Sequence, residues 1–152
     1  MPLPVLKQIR DDLPNFQDSG LSIMESSHRW KLYESVHHRA TQGIRDLLAI
    51  PQSHQVLFLA GGATMQFGMS ALNFLPQDGS AAFADTGAWA QKAIKDAAAV
   101  GNAVAVYDGK AGGYTRMPGR EELERAVREQ PDHAYLHLTS NETINGSQLA
   151  DF

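Results

Sequence analysis

Apolar residues recur along the chain with two spacings, one typical of helices and one typical of strands. Helical spacing predicts helices at 3–13, 31–48, 64–72 with a possible extension to 74, 88–100 and 121–129. Short apolar runs predict strands at 56–59, 80–85, 103–107 and 133–138. Because strands alternate with helices, the pattern favours an α/β fold with a mainly parallel sheet and flanking helices.

The apolar run Val56–Leu59 stands out because Gly61 and Gly62 follow it and a helical pattern then resumes. The run predicts a central buried strand, and the whole stretch predicts strand, glycine turn and helix. The first N–H groups of such a helix have no intrahelical partner, so they could bind a phosphate beside Ala63 and Thr64. A Gly-Gly pair is also common as a tight connection alone, and the stretch is neither a Walker A loop nor GxGxxG.

Three polar or glycine-containing stretches follow predicted strands, at residues 61–64, 85–89 and 140–146. In parallel sheets, ligands gather at the carboxyl ends of the strands. We therefore expect these three stretches to converge on one crevice.

Length, charge and composition limit the classes of function that this chain could have. At 152 residues and 43% hydrophobic content, the chain is long enough for one domain with a sizeable core, and a second complete domain is not expected. The net charge of −4 argues against a nucleic-acid partner. The chain has no cysteine, no long apolar segment and no signal-like N-terminus. These features favour a cytoplasmic protein that neither spans nor binds a membrane.

The histidines do not predict a metal site. His37 and His38 are adjacent on a predicted helix, so their side chains point about 100° apart and cannot both face one ion easily. His133 and His137 share one face of a predicted strand but have no third ligand, so a structural role is favoured.

Four motifs, in this order, carry a family resemblance: SxMExSHR, VLFLxGGATxQF, TGxWAxKA and SNETIxG. Together they resemble the N-terminal part of the phosphoserine aminotransferase family. The resemblance implies part of the large domain of the aspartate-aminotransferase-like fold, a homodimer and the cofactor pyridoxal 5'-phosphate. It also implies amino transfer from glutamate to 3-phosphohydroxypyruvate, giving phosphoserine in serine biosynthesis.

The same resemblance implies roles for six residues. Backbone amides of Ala63 and Thr64 would bind the cofactor phosphate, Trp89 would stack on its ring, and Thr143 would lie at its phenolic oxygen. Arg29 would bind a substrate carboxylate, and His28 would help to bind the phosphate of phosphoserine. A guanidinium suits a carboxylate because it can donate two parallel hydrogen bonds.

The family's Schiff-base lysine has no match in this sequence, nor has the aspartate that pairs with the pyridinium nitrogen. The chain has five lysines, none in the family's lysine motif: Lys7, Lys31, Lys92, Lys95 and Lys110. We therefore expect residues 1–152 to be an incomplete portion of such an enzyme, with no catalytic residue of its own, that does not transaminate alone. The alternatives are another class V aminotransferase acting on a different small keto acid, or a non-catalytic α/β remnant that binds a phosphate-bearing ligand.

Overall fold

A computed structural model describes residues 1–150. The chain forms two compact units, Met1–Phe58 and Leu59–Phe152. The first unit contains helices α1 (Leu3–Asp12) and α2 (Lys31–Leu47), which confirm two predicted helices. Between them lie short 3₁₀ turns at Phe16–Asp18 and Ile23–Glu25.

The second turn of the first unit is closed by a reciprocal cap. The Ser22 hydroxyl accepts from the Met24 N–H at 3.2 Å, and the Glu25 carboxylate accepts from the Ser22 N–H at 3.0 Å. This pairing satisfies backbone donors that a short helix cannot satisfy internally. It fixes the start of the loop that carries His28 and Arg29.

The second unit alternates helices and strands. Its elements in order are α3 (Gly62–Phe74), β1 (Ser80–Asp85), α4 (Ala88–Ala98), β2 (Asn102–Asp108), α5 (Arg120–Glu129), β3 (His133–His137), β4 (Asn141–Glu142) and β5 (Ser147–Gln148). The three longer strands form a parallel sheet in the order β2-β1-β3, and β4 pairs with β5 in an antiparallel hairpin. The predicted mainly parallel sheet with flanking helices is confirmed.

The core of this unit is built from unusually small side chains. It comprises Phe83 together with buried alanines of α3, β1 and α4, namely Ala71, Ala81, Ala93 and Ala97. Since a methyl group is all that separates α4 from the sheet at these positions, the helix backbone can lie close to β1. This close packing places the N-terminus of α4 beside the carboxyl end of β1.

The prediction of a central strand at residues 56–59 is wrong. This segment does not form a strand, and the residues Leu57, Phe58 and Leu59 are 71%, 53% and 57% exposed. Apolar residues favour a strand only where a neighbouring strand accepts the backbone hydrogen bonds. Within residues 1–150, no strand pairs with this run.

The start of α3 and the segment after β3 also differ from the sequence pattern. Helix α3 begins at Gly62, two residues before the predicted start, because Gly61 adopts a left-handed conformation with φ of 91° and lets the helix begin directly after it. The 140–146 stretch, for which no strand was predicted, contributes to the β4–β5 hairpin. Within residues 1–150, no helix is both long enough and apolar enough to cross a membrane.

Candidate functional site

A cavity of about 350 Å³ lies in the second unit, at the carboxyl end of β3. It is lined by Ala63, Thr64 and Phe67 of α3, Trp89 of α4, and His137–Asn141 and Thr143. All three stretches expected at strand ends contribute to it, which confirms their convergence on one crevice. The volume is within the range of about 300–1,000 Å³ that small-molecule pockets occupy.

The N-terminus of α3 supplies hydrogen-bond donors to one side of the cavity. Met65 N–H makes the first bond of the helix, to the Gly61 carbonyl at 3.3 Å. The N–H groups of Gly62, Ala63 and Thr64 precede it, so helix geometry gives them no intrahelical acceptor. With the helix dipole, these donors make this side of the cavity suitable for an anion.

Trp89 and Thr143 also line the cavity and are directly bonded. The indole Nε1–H of Trp89 donates to the Thr143 Oγ1 at 2.7 Å. The bond fixes the plane of the indole, which is half-buried. A planar aromatic surface held in this way can stack on a flat ring and exclude water from one of its faces.

His137 lines the cavity and belongs to an aromatic cluster. Its ring is 5.2 Å from that of Phe83 and meets the Phe67 ring edge-on at 5.7 Å, between ring centroids. Burial lowers the pKa of His137 below its usual value, because a charged imidazolium would lose its hydration there. The imidazole is therefore neutral at neutral pH, and it adds no positive charge to the cavity.

The two residues expected to bind substrate lie in the first unit. His28 and Arg29 are both exposed, in the loop before α2, and the Arg29 N–H donates to the Ser27 hydroxyl at 3.2 Å. Their predicted loop is confirmed, whereas their roles in substrate binding stay predictions.

Sequence reasoning missed Phe67, His137 and the contribution of Glu142. Phe67 and His137 look like ordinary core residues, and only the packed structure shows that they line the cavity. Glu142 is completely buried and accepts hydrogen bonds from residues of the 86–90 segment. One signal was available: Gly87 precedes α4 and has no side chain that could cap it, so the first N–H groups of the helix needed an acceptor from elsewhere.

A second, larger cavity of about 460 Å³ lies beside α5 and β3 and shares one lining residue, Leu138, with the first. Its walls are mainly apolar, with Leu123, Val127, Leu136, Leu138 and Leu149 among them. Its charged lining residues, Arg120, Glu124 and Arg128, are paired with one another, whereas the smaller cavity combines a helix N-terminus with an aromatic side chain and hydroxyls, so the smaller cavity is the better candidate site.

Comparisons with known proteins identify the relatives of this chain. A family model described as aminotransferase class V matches residues 1–151. Phosphoserine aminotransferase of Geobacillus kaustophilus is 41% identical over 152 residues, which are 100% of this chain and 41% of that protein. Chloroplastic phosphoserine aminotransferase 1 of Arabidopsis thaliana is 42% identical over the same length, which is 34% of that protein.

Solved structures show the same relationship. Phosphoserine aminotransferase from Bacillus circulans subsp. alkalophilus matches with a TM-score of 0.90 and 41% identity, over 100% of this chain and 41% of that one. A PLP-bound phosphoserine aminotransferase from Trichomonas vaginalis matches with a TM-score of 0.83 and 28% identity, over 100% and 42%. These matches confirm the fold and the resemblance inferred from the motifs.

The chain spans about two fifths of the length of the Geobacillus relative and about a third of the Arabidopsis protein. Family model, sequence relatives and solved structures each cover the chain essentially from end to end. The chain therefore belongs to the class V aminotransferases.

Proposed function

We propose that this chain forms the cofactor-binding part of a pyridoxal 5'-phosphate-dependent phosphoserine transaminase. The reaction exchanges an amino group between glutamate and 3-phosphohydroxypyruvate, as the names of the relatives suggest for the whole enzyme. One observation carries the proposal: the N-terminus of α3, Trp89 and Thr143 surround a single cavity of suitable size.

The residues of the cavity fit the chemical groups of this cofactor. The N–H groups of Ala63 and Thr64 would hold its phosphate, because a dianion is favoured at a helix N-terminus. Trp89 would cover one face of the pyridine ring. When bound, the cofactor supplies the electron sink that amino transfer requires.

Thr143 has a hydroxyl that can serve two partners. Its Oγ1 accepts from the Trp89 indole, and a hydroxyl can donate its own proton while it accepts. We assign that donated bond to the phenolic oxygen of the cofactor. Together they would orient the cofactor ring, because Trp89 would cover its face and Thr143 would hydrogen-bond to its edge.

The remaining parts of the proposal concern substrates and assembly. Arg29 would bind a substrate carboxylate and His28 a phosphate, both from the exposed loop of the first unit. No lysine lines the cavity within residues 1–150, so we propose that the amine required for transamination comes from outside the described residues. A homodimer, which the family resemblance implies, and a cytoplasmic location, which the composition favours, complete the proposal.

The test is a titration of the purified chain with pyridoxal 5'-phosphate, followed by absorbance and by tryptophan fluorescence. Thr64→Asp places a negative charge at the expected phosphate position, while an acidic residue in the first turn leaves the helix stable. We expect affinity to fall at least about tenfold, which corresponds to about 1.4 kcal/mol. The matched control is Thr64→Asn, because asparagine has nearly the same shape as aspartate but no charge. This variant should bind pyridoxal 5'-phosphate with an affinity within about threefold of wild type.

Titrations with two further ligands, pyridoxal and inorganic phosphate, distinguish the proposed function from a non-catalytic phosphate-binding module. Pyridoxal without its phosphate should bind much more weakly than the phosphorylated form. Equal affinity for the two would contradict a phosphate site at α3. If inorganic phosphate binds as tightly as the cofactor does, the non-catalytic phosphate-binding alternative is favoured instead.

A further inference from the structure

Glu142 is a buried carboxylate that no residue of opposite charge contacts among the described residues. Three donors surround it instead. The Trp89 N–H lies 2.8 Å from Oε2, the Ala90 N–H lies 2.8 Å from Oε1, and the Thr86 hydroxyl lies 3.2 Å from Oε1. Such a carboxylate is costly to bury unless its oxygens are bonded in this way.

These bonds replace a local cap for α4. The residue before the helix is Gly87, which has no side chain to accept from the first N–H groups. Glu142 reaches those groups from the β4–β5 hairpin and also places a negative charge at the positive end of the helix dipole. One residue thus satisfies the donors and complements the dipole.

Gly87 is required for this approach because there is no room for a side chain. A Cβ at position 87 would lie 2.7 Å from the Glu142 Cδ, 2.8 Å from its Oε2 and 2.8 Å from the Asn145 Oδ1. Any larger residue would push the carboxylate away from α4. Position 87 therefore offers a way to move Glu142 without removing its charge.

Trp89 links Glu142 to the candidate site. Its backbone N–H is bonded to Glu142 and its indole N–H to Thr143, the next residue of the hairpin. The hairpin is itself closed by pairing of Glu142 with Ser147 and by the Gly146 N–H, which donates to the Glu142 carbonyl at 2.8 Å. Two consecutive residues thus hold both ends of Trp89.

We propose that Glu142 is a positioning residue that fixes the indole of Trp89, and with it Thr143, at the wall of the cavity. As far as the ligand is concerned, this inference rests on the proposed function, because the ring that Trp89 would cover belongs to pyridoxal 5'-phosphate. Glu142 itself does not line the cavity, so it acts through Trp89 and Thr143.

The test uses Glu142→Gln in a Trp30→Phe background, where fluorescence reports Trp89 alone. An amide offers one acceptor oxygen in place of two, so at least one of the N–H groups of Trp89 and Ala90 faces an NH₂ group. We expect red-shifted emission as the indole becomes wetter, and about tenfold weaker binding of pyridoxal 5'-phosphate. The affinity for inorganic phosphate should stay within about twofold, because α3 holds the phosphate.

Two other variants keep the test decisive if Glu142→Gln folds poorly. Gly87→Ala displaces the carboxylate sterically and should shift emission in the same direction. Thr86→Val removes only the most distant donor and should give a smaller shift in a folded protein. Glu121→Gln, at an exposed position of α5, is the matched control and should change nothing.

A variant destabilised away from α4 distinguishes a positioning role from a general loss of stability. Leu123→Ala, at a buried position of α5, should lower the melting temperature without changing the emission of Trp89 or the ratio of cofactor to phosphate affinity. The proposal is overturned if Glu142→Gln, Gly87→Ala or Thr86→Val behaves like Leu123→Ala. If the wild-type chain binds no pyridoxal 5'-phosphate, the proposed function fails, and the emission shift alone still decides whether Glu142 positions Trp89.

Discussion

At the scale of single residues, Asp85 shows how the end of β1 is connected to the neighbouring loop. Its Oδ2 accepts from the Tyr114 hydroxyl at 3.2 Å, and that hydroxyl accepts from the Gln91 amide at 2.6 Å. The Gly109 N–H also donates to the Asp85 carbonyl at 2.8 Å. The backbone that leads to Thr86, Gly87 and Trp89 is therefore held from the side of β2 as well as from the hairpin.

The Tyr114 phenol gives a prediction at this scale. Loss of hydration on burial, and then the nearby Asp85 carboxylate, raise the pKa of Tyr114 to about 12. Because the folded state binds this proton more tightly, the stability it contributes is present below pH 10 and is lost as the pH rises toward 12. An ultraviolet titration of wild type against Tyr114→Phe isolates this tyrosine among the four in the chain.

Asp85→Asn should lower the pKa of Tyr114, because it removes the negative charge that opposes ionisation. Asp108→Asn is the matched control, since the Asp108 charge has a weaker effect on the same phenol. A larger change with Asp108→Asn than with Asp85→Asn would contradict the hydrogen-bonded arrangement.

At the scale of elements, helix α4 illustrates what the sequence pattern can predict. Its buried positions, Ala90, Ala93 and Ala97, follow helical spacing, so the helix and its inner face were predictable. The spacing gives no information on the remote carboxylate that caps it, because Glu142 lies 53 positions after Trp89. Local patterns thus predicted the elements, whereas this contact of the site required the fold.

The apolar run at 56–59 and the β4–β5 hairpin show the same limit. Both depend on a pairing partner, and hydrophobicity alone does not say whether a partner is present. Thr64, Trp89 and Thr143 were identified through family motifs rather than through periodicity. Their meeting in one cavity was nevertheless expected, because all three follow predicted strands.

The alanine face of α4 gives a prediction at the element scale. Ala93 is 1% exposed and packs between the helix and β1, so Ala93→Leu has no space for its added carbons. We expect a loss of about 1–3 kcal/mol in the free energy of unfolding, measured by urea denaturation. Ala98→Leu, the same change at an exposed position of the same helix, should alter stability by less than about 0.5 kcal/mol.

At the scale of the whole molecule, the boundary between the two units falls within an exposed apolar segment. The units meet along the chain at Phe58 and Leu59, and residues 55–59 have no regular secondary structure. A protease needs several residues of backbone that are free of helix and sheet hydrogen bonds, and residues 55–59 lie in neither a helix nor a strand. The boundary is therefore expected to be the most sensitive part of residues 1–150.

Limited digestion with chymotrypsin tests this expectation. The first cut should follow Leu57, Phe58 or Leu59 and release a C-terminal product that starts at residue 58, 59 or 60, as mass spectrometry can show. Leu72 is a matched control because it is 70% exposed but lies within α3, where the helix must open before cleavage. Initial cleavage after Leu72 would contradict the prediction.

The long-range cap of α4 has a consequence for synthesis of the chain. Trp89 and Ala90 leave the ribosome more than 50 residues before their acceptor Glu142 does. At about 5–20 residues per second, this interval lasts roughly 3 to 10 s. During that time α4 carries uncapped N–H groups and Trp89 lacks both of its anchors. Translation must therefore pass the hairpin before the wall of the cavity can form, so a pause ahead of Glu142 would delay the site without delaying α4.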